Sequence, residues 1–278
     1  MRPVSQSSLC AAIAVFCAFS FSSTPAKADI ETIRGSDNSF WGSMGSSFFN
    51  YKESTSATGQ IPDSQHGLLP SFAAGVNYMG DNNNIYFALD GSLSLGKDLY
   101  KGAIYDKITS SYDVPYETIT RETITAIDGK IGKGFAFWDS VMITPYVDIG
   151  FRYWDRNLGD GSSEDYDNFD ALGGAMAQFS PLDRLTLSAY GATGLTFAGR
   201  METAGTTFNL GSAGVYKLGG KIGYNLTQHV ELFTSLDYDH FHYVKSGVEQ
   251  ITPWEYAFEP SSATSDTAVR LGLAYHFR

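Results

Sequence analysis

The sequence predicts an all-β protein, a transmembrane antiparallel up-and-down β-barrel of about ten strands. Three observations carry that prediction. Apolar and polar residues alternate with period two in stretch after stretch, a hydrophobic leader precedes them, and the last stretch ends on Phe277. The alternation is plainest in Thr144 to Arg156, TPYVDIGFRYWDR. Pro145, Val147, Ile149, Phe151 and Tyr153 share one face, while Tyr146, Asp148, Gly150, Arg152 and Trp154 share the other. Successive side chains of a strand point to opposite faces, so one face here suits hydrocarbon and the other suits charge or water. A soluble β-sandwich, whose strands also alternate, is the competing fold.

The leader occupies residues 1–28. Arg2 supplies a positive start, Leu9 to Phe21 an apolar run too short to span a bilayer, and Ala26-Lys27-Ala28 a small-residue cleavage site. Cleavage there makes Asp29 the mature N-terminus. Both cysteines, Cys10 and Cys17, fall inside the leader, so the mature chain is predicted to lack disulfide, thiolate-metal and cysteine-nucleophile chemistry. Of 278 residues, 250 remain, and losing Arg2 and Lys27 takes the net charge from −11 to −13. An acidic chain without a basic run excludes nucleic acid as a natural partner. The remaining chain reads as a polar lead-in at 29–38, expected in the periplasm, and a single barrel domain at 39–278.

Each strand follows from its own alternation. Phe40 to Glu53 is the first, its facing obscured by glycine and serine. Leu68 to Met79 sets Leu68, Phe72, Val76 and Tyr78 against small or polar residues, and GDNNN at Gly80 to Asn84 makes a tight turn. Ile85 to Leu95 alternates Phe87, Leu89 and Leu93 with Ala88, Asp90 and Ser92. A long loop through Tyr100, Tyr105, Tyr112 and Tyr116 is expected before a strand from about Thr118 to Phe137, with Asp128 and Lys130 inward. Trp138-Asp139-Ser140 turns into the opening stretch, and a polar loop is expected at Asn157 to Asp167. Phe169 to Phe179 is weakly patterned. Leu185 to Arg200 has Leu187, Leu195 and Phe197 outward, with Tyr190, Thr196 and Arg200 inward. The last three, Tyr216 to Leu226, Val230 to Val244 and Ala268 to Phe277, are clean. Short turns and long loops alternate, and an even strand count puts both termini at the short-turn, periplasmic side.

The final segment, VRLGLAYHF at Val269 to Phe277, resembles the C-terminal signature that small bacterial outer-membrane proteins present to their assembly machinery, with Tyr275 and Phe277 as its aromatics. The chain departs from that pattern in ending on Arg278. In size and strand number it is similar to the ten-stranded omptin-like and opacity-type surface barrels. That resemblance implies residence in the bacterial outer membrane, with lipid, lipopolysaccharide and the assembly machinery as partners and the chain as a monomer.

The inferred lumen carries Asp90, Asp128, Asp148, Glu231 and Asp237, with Glu53 less securely placed, against Lys130, Arg152, Arg200, Lys217, Lys221 and Arg270. Acids and bases balance in this reading, giving either a charge-paired plug or the lining of a narrow conduit. Catalytic motifs are missing. Omptin-like proteases pair Asp-x-Asp with Asp-x-His; Asp237-Tyr238-Asp239 and Asp165-Tyr166-Asp167 meet the first spacing, but no histidine has aspartate two residues before it. The His-x-Ser pair of outer-membrane lipid hydrolases is likewise absent. His240 and His242 share one strand face and Asp237 and Asp239 the other, so these four cannot converge on one ion; no metal and no cofactor are expected. Loop residues Tyr112, Tyr116, Tyr166, Trp254 and Tyr256 are candidates for binding an extracellular ligand. The favoured function is a non-catalytic envelope, adhesion or ligand-binding protein. The alternatives are a narrow porin-like channel and a divergent omptin-like rim hydrolase.

Overall fold

The structure, a computed structural model, describes residues 30–54, 61–106, 111–158 and 162–277. The predicted leader lies outside the described residues. The elements are α1 (Ile30–Ser36), β1 (Ser39–Glu53), β2 (Ser64–Met79), β3 (Ile85–Asp106), β4 (Ser111–Lys133), β5 (Phe135–Phe137), β6 (Val141–Asn157), β7 (Ser163–Leu182), β8 (Leu185–Thr203), β9 (Thr206–Asn209), β10 (Gly214–Asn225), β11 (Val230–Tyr243), β12 (Glu249–Thr252), β13 (Glu255–Ala257) and β14 (Ser262–His276).

Ten long strands make the barrel. Each pairs antiparallel with its neighbours in the order β1, β2, β3, β4, β6, β7, β8, β10, β11, β14. The ring closes where Ser39 of β1 faces His276 of β14 and Glu53 faces Ser262. Closure leaves the ring of ten strands no open edge, as a hydrocarbon surround requires. β5 extends the wall beside β6, β9 folds back on β8, and β12 and β13 form a separate hairpin.

Alternation is as strict as the stripe demands. Along β6, Met142, Thr144, Tyr146, Asp148, Gly150, Arg152, Trp154 and Arg156 point inward, while Val147 and Ile149 face out. The outer face is an apolar belt that includes Phe48, Phe72, Leu89, Ile127, Leu195, Leu218, Leu236 and Leu271. β1 resolves in the same way, with Phe40, Met44 and Phe48 outward and Ser47, Phe49 and Tyr51 inward.

The strands outrun the bilayer. A tilted strand crosses in roughly 9–11 residues, whereas β3 and β4 have 22 and 23. The tyrosine loop expected between them is therefore largely paired strand, from Lys101↔Glu117 up to Asp106↔Ser111. The loop expected at Asn157 to Asp167 is shorter too, because Asn157↔Ser163 is already a strand pair. Beyond the lipid the outer face no longer has to be apolar and the inner face carries aromatic rings such as Tyr100 and Tyr166, so the hydrophobic period fades although the backbone ladder continues.

At the short-turn end, the lead-in is a helix turned into the barrel mouth. Ile33 is fully buried among Met79, Tyr86, Ala88 and Met142. Asn38 pins it: Nδ2 donates to the carbonyls of Arg34 (2.8 Å) and Met79 (3.0 Å), and Oδ1 accepts from the Met79 amide (3.1 Å).

Candidate functional site: a charged chamber beneath an aromatic seal

The inward charges of the middle strands surround a cavity of about 210 Å³. Lys217 of β10 reaches across it to three carboxylates. Its Nζ contacts Asp128 of β4, lies 3.4 Å from Asp170 of β7 and 3.7 Å from Asp148 of β6. Gly150 makes this possible, because a Cβ there would collide with the carboxylates of Asp128 and Asp170. Lys130 pairs with Asp90. Arg270 Nη1 donates to Asp237 (2.9 Å), which also accepts from Tyr190 (2.8 Å) and Ser235 (3.0 Å). Near the helix, Glu231 receives Lys221 (2.6 Å) and the Ser36 hydroxyl (2.9 Å), with His276 Nε2 at 3.6 Å. Arg152 is different. Its guanidinium lies over the Phe241 ring, 4.4 Å from the centroid, and among the described residues Nε and Nη2 have no hydrogen-bond partner.

The expected charge network needs two corrections. Arg200 is on the outer surface, 57% exposed at the side chain, and bonds Asp167 at 3.1 Å. The reason is a bulge: Ala198 has φ 52°, and the β7–β8 register slips one residue between Asp167↔Arg200 and Phe169↔Phe197. One extra residue reverses the facing of everything beyond it. The charges also do not balance. Asp170 and Asp266 join the inward acids, as does Asp239, which shares the inward face of Asp237 as its spacing predicts, and Asp239 and Asp266 face each other across β11 and β14. Extending the inward parity of β7 back from Leu172 would have found Asp170; the Ala and Gly on the outer face of that strand hid the pattern.

Above the chamber the lumen is closed by packed rings. Trp154 stacks on Tyr166 at 4.8 Å, and Tyr166 on Tyr243 at 5.6 Å. Tyr51 and Phe49 meet Trp154 edge-on at 5.1 and 5.3 Å. Their polar tips are partnered, as burial requires. Trp154 Nε1 donates to Glu122 (2.5 Å), Tyr243 to Asn168 (2.7 Å) and Tyr166 to Glu259 (2.7 Å).

Arg156 caps the seal. It lies 2.7 Å from Glu164 and 3.9 Å from Glu53, against the rings of Tyr51, Tyr100 and Trp154. Two carboxyls from outside the strands join this layer. Burial pushes Glu259 well above the usual carboxylate range, and the charges of Glu53 and Glu164 push the same way. Burial also raises Asp63, opposed by its bond from Tyr100 and by Arg156. Sequence reasoning missed this layer, because Arg156, Glu122 and Glu259 are ordinary polar residues until their strand parity and loop path are known.

The loop candidates separate. Tyr166 is an inward seal residue, not a loop residue. Tyr116 is half-buried against Tyr100, with centroids 6.2 Å apart. Tyr112 belongs to β4, where the description extends to the backbone only. Trp254 and Tyr256 are 93% and 64% exposed on the β12–β13 hairpin. Tyr275 and Phe277 face outward at the short-turn end, Phe277 against Phe40 at 5.1 Å. Of the two Asp-x-Asp pairs, Asp237 and Asp239 lie inside the lumen beneath the seal, while Asp165 and Asp167 lie on the outer surface bonded to Tyr153 and Arg200.

The chain aligns with the outer membrane protease OmpT from Escherichia coli at a TM-score of 0.59, over 87% of this chain and 97% of that one, at 10% identity. The fold is that of the small outer-membrane barrels. Neisserial surface protein A aligns over 86% of this chain and 97% of its own at a TM-score of 0.34 and 12% identity. No protein-family model and no curated protein sequence matches the chain. At this identity the likeness concerns fold alone.

Proposed function

We propose that this protein is an integral protein of the bacterial outer membrane, exported through its cleaved leader, that neither conducts solutes nor catalyses a reaction and acts at the cell surface. In this reading the short-turn end faces the periplasm and the long-loop end faces outside, and the surrounding partners are outer-membrane lipid and lipopolysaccharide. The observation that carries it is the sealed lumen. Trp154, Tyr166, Tyr243 and Tyr51 are each no more than 2% exposed, and α1 occupies the opposite mouth. Charge inside the barrel then serves to satisfy itself rather than to pass ions, as in small barrels whose side chains fill the interior. Absence of catalysis is supported by the dispersal of both Asp-x-Asp pairs and by the facing of His240, which follows Asp239 in the chain but lies on the outer face while Asp237 and Asp239 line the lumen. The exposed Trp254 and Tyr256 make the β12–β13 hairpin the best surface for capturing an external ligand, since such rings recognise partners at low ordering cost.

Two measurements test this reading. Liposomes carrying the folded protein should not swell in isotonic small sugars, and swelling would contradict it. Deleting residues 249–257 should abolish surface binding by cells that display the protein while leaving the barrel folded; unchanged binding would remove the hairpin from the proposal.

A further inference from the structure

The two histidines of β11 meet in a way their sequence spacing does not announce. His240 and His242 share the outer face, just beyond the apolar belt, with His242 exposed and His240 half-buried. Their Nε2 atoms are 3.1 Å apart, and the rings stand edge to face at 89° with centroids 4.7 Å apart. His240 is held from the other side. Its Nδ1 lies 3.0 Å from Ser265 Oγ on the neighbouring strand, and its ring stacks between Tyr216 and Tyr238.

We infer that His240 and His242 form a two-nitrogen chelate for a borderline divalent transition-metal ion, Cu²⁺, Zn²⁺ or Ni²⁺. With metal–nitrogen bonds of 2.0–2.1 Å, two nitrogens 3.1 Å apart subtend about 95–100° at a shared ion. That angle suits tetrahedral and tetragonal ions alike. Ligation needs the lone pair of both Nε2 atoms, so each ring must carry its proton on Nδ1. For His240, Ser265 Oγ lies 3.0 Å from Nδ1, where it accepts that proton's hydrogen bond once the ring ligates and so steadies the ring plane. Ligating histidines commonly need such an outer partner. Solvent fills the remaining positions, since the site opens outward. Asp237 and Asp239 point to the lumen and take no part. Among the described residues no group of three or more His, Cys, Asp or Glu gathers for a metal, which makes this pair a shallow surface site rather than a structural cage. Ca²⁺ and Mg²⁺, which require oxygen ligands, are excluded.

The test is calorimetric titration of Cu²⁺, Zn²⁺ and Ca²⁺ into the full chain folded in detergent micelles near neutral pH. One Cu²⁺ per chain should bind, Zn²⁺ more weakly in line with the usual order of affinities, and Ca²⁺ not at all. His240→Ala or His242→Ala should each weaken Cu²⁺ binding more than about tenfold, Ser265→Ala roughly tenfold, and His66→Ala not at all. Paramagnetic resonance of the Cu²⁺ form should show two coordinated nitrogens. Equal binding by the wild type and the His240→Ala/His242→Ala double variant would overturn the inference. So would a one-nitrogen spectrum. Both histidines are on the outer face, and heat-modifiable migration would verify that each variant is folded.

Discussion

Replacing Lys217 with Met removes the one ammonium that three strands share. The substitution keeps most of the length and the apolar character of the stem but leaves Asp128, Asp148 and Asp170 facing one another. At an effective dielectric of about 20, an ammonium 3.4–3.7 Å from a carboxylate contributes roughly 4–5 kcal/mol of attraction per pair before desolvation is counted. Burying the ammonium offsets much of that, since the Lys217 side chain is 13% exposed. Leaving partner charges buried and unpaired has a net cost of about 3–5 kcal/mol. Urea unfolding of the protein in micelles, followed by tryptophan fluorescence, would read this as a midpoint lowered by roughly 2 M for an m value near 2 kcal/mol/M. Asp148→Asn in the Lys217→Met background should restore part of the loss, because it removes one of the repelling charges. A loss below about 1 kcal/mol, or no rescue, would show that the cluster is already neutralised by other means and would refute the reasoning.

Other positions give further outcomes. Gly150→Ala should destabilise the fold by about 1–3 kcal/mol, because the added methyl strikes Asp128 and Asp170; a neutral effect in the same unfolding assay would contradict the close approach. Arg200→Ala should shift stability by no more than about 0.5 kcal/mol, as an exposed residue outside the lumen, whereas an inward arginine would cost several times more. Glu259 predicts a pH dependence. Its folded pKa is raised above the unfolded value near 4.5, so the folded state holds the proton more tightly, and its contribution declines as pH rises through and above 4.5. Glu259→Gln should therefore flatten the loss of stability that sets in as pH rises above about 4.5, and an unchanged slope would count against the buried carboxyl.

The parts of the fold that touch lipid were legible in the sequence because hydrocarbon tolerates only strict alternation. Val147 and Ile149 opposite Asp148, and Leu232 and Leu236 opposite Glu231, leave one facing that satisfies both. Where the outer residues are small, as at Ala171, Gly173 and Ala175 of β7, the stripe fades and Asp170 goes unnoticed. Arg200 failed for another reason. A bulge at Ala198 is set by backbone geometry, and no residue type there demands it. The seal was hidden in plain view: Trp154 and Tyr166 are inward by parity, but their meeting requires the register of four strands. The helix in the mouth is stabilised by tertiary packing of Ile33 and by Asn38, because seven residues are too few to form a helix on propensity alone.

The central claim is that packed rings, not charge, close the lumen. Planar-bilayer recordings of the folded wild-type chain beside Trp154→Ala test it most directly. Truncating a fully buried tryptophan should cost about 3–5 kcal/mol and leave a gap beside Tyr51 and Tyr166. The account predicts a silent wild type and small conductance steps in the variant once folding is verified by heat-modifiable migration. Steady conductance through the wild type, unchanged by Trp154→Ala, would contradict it.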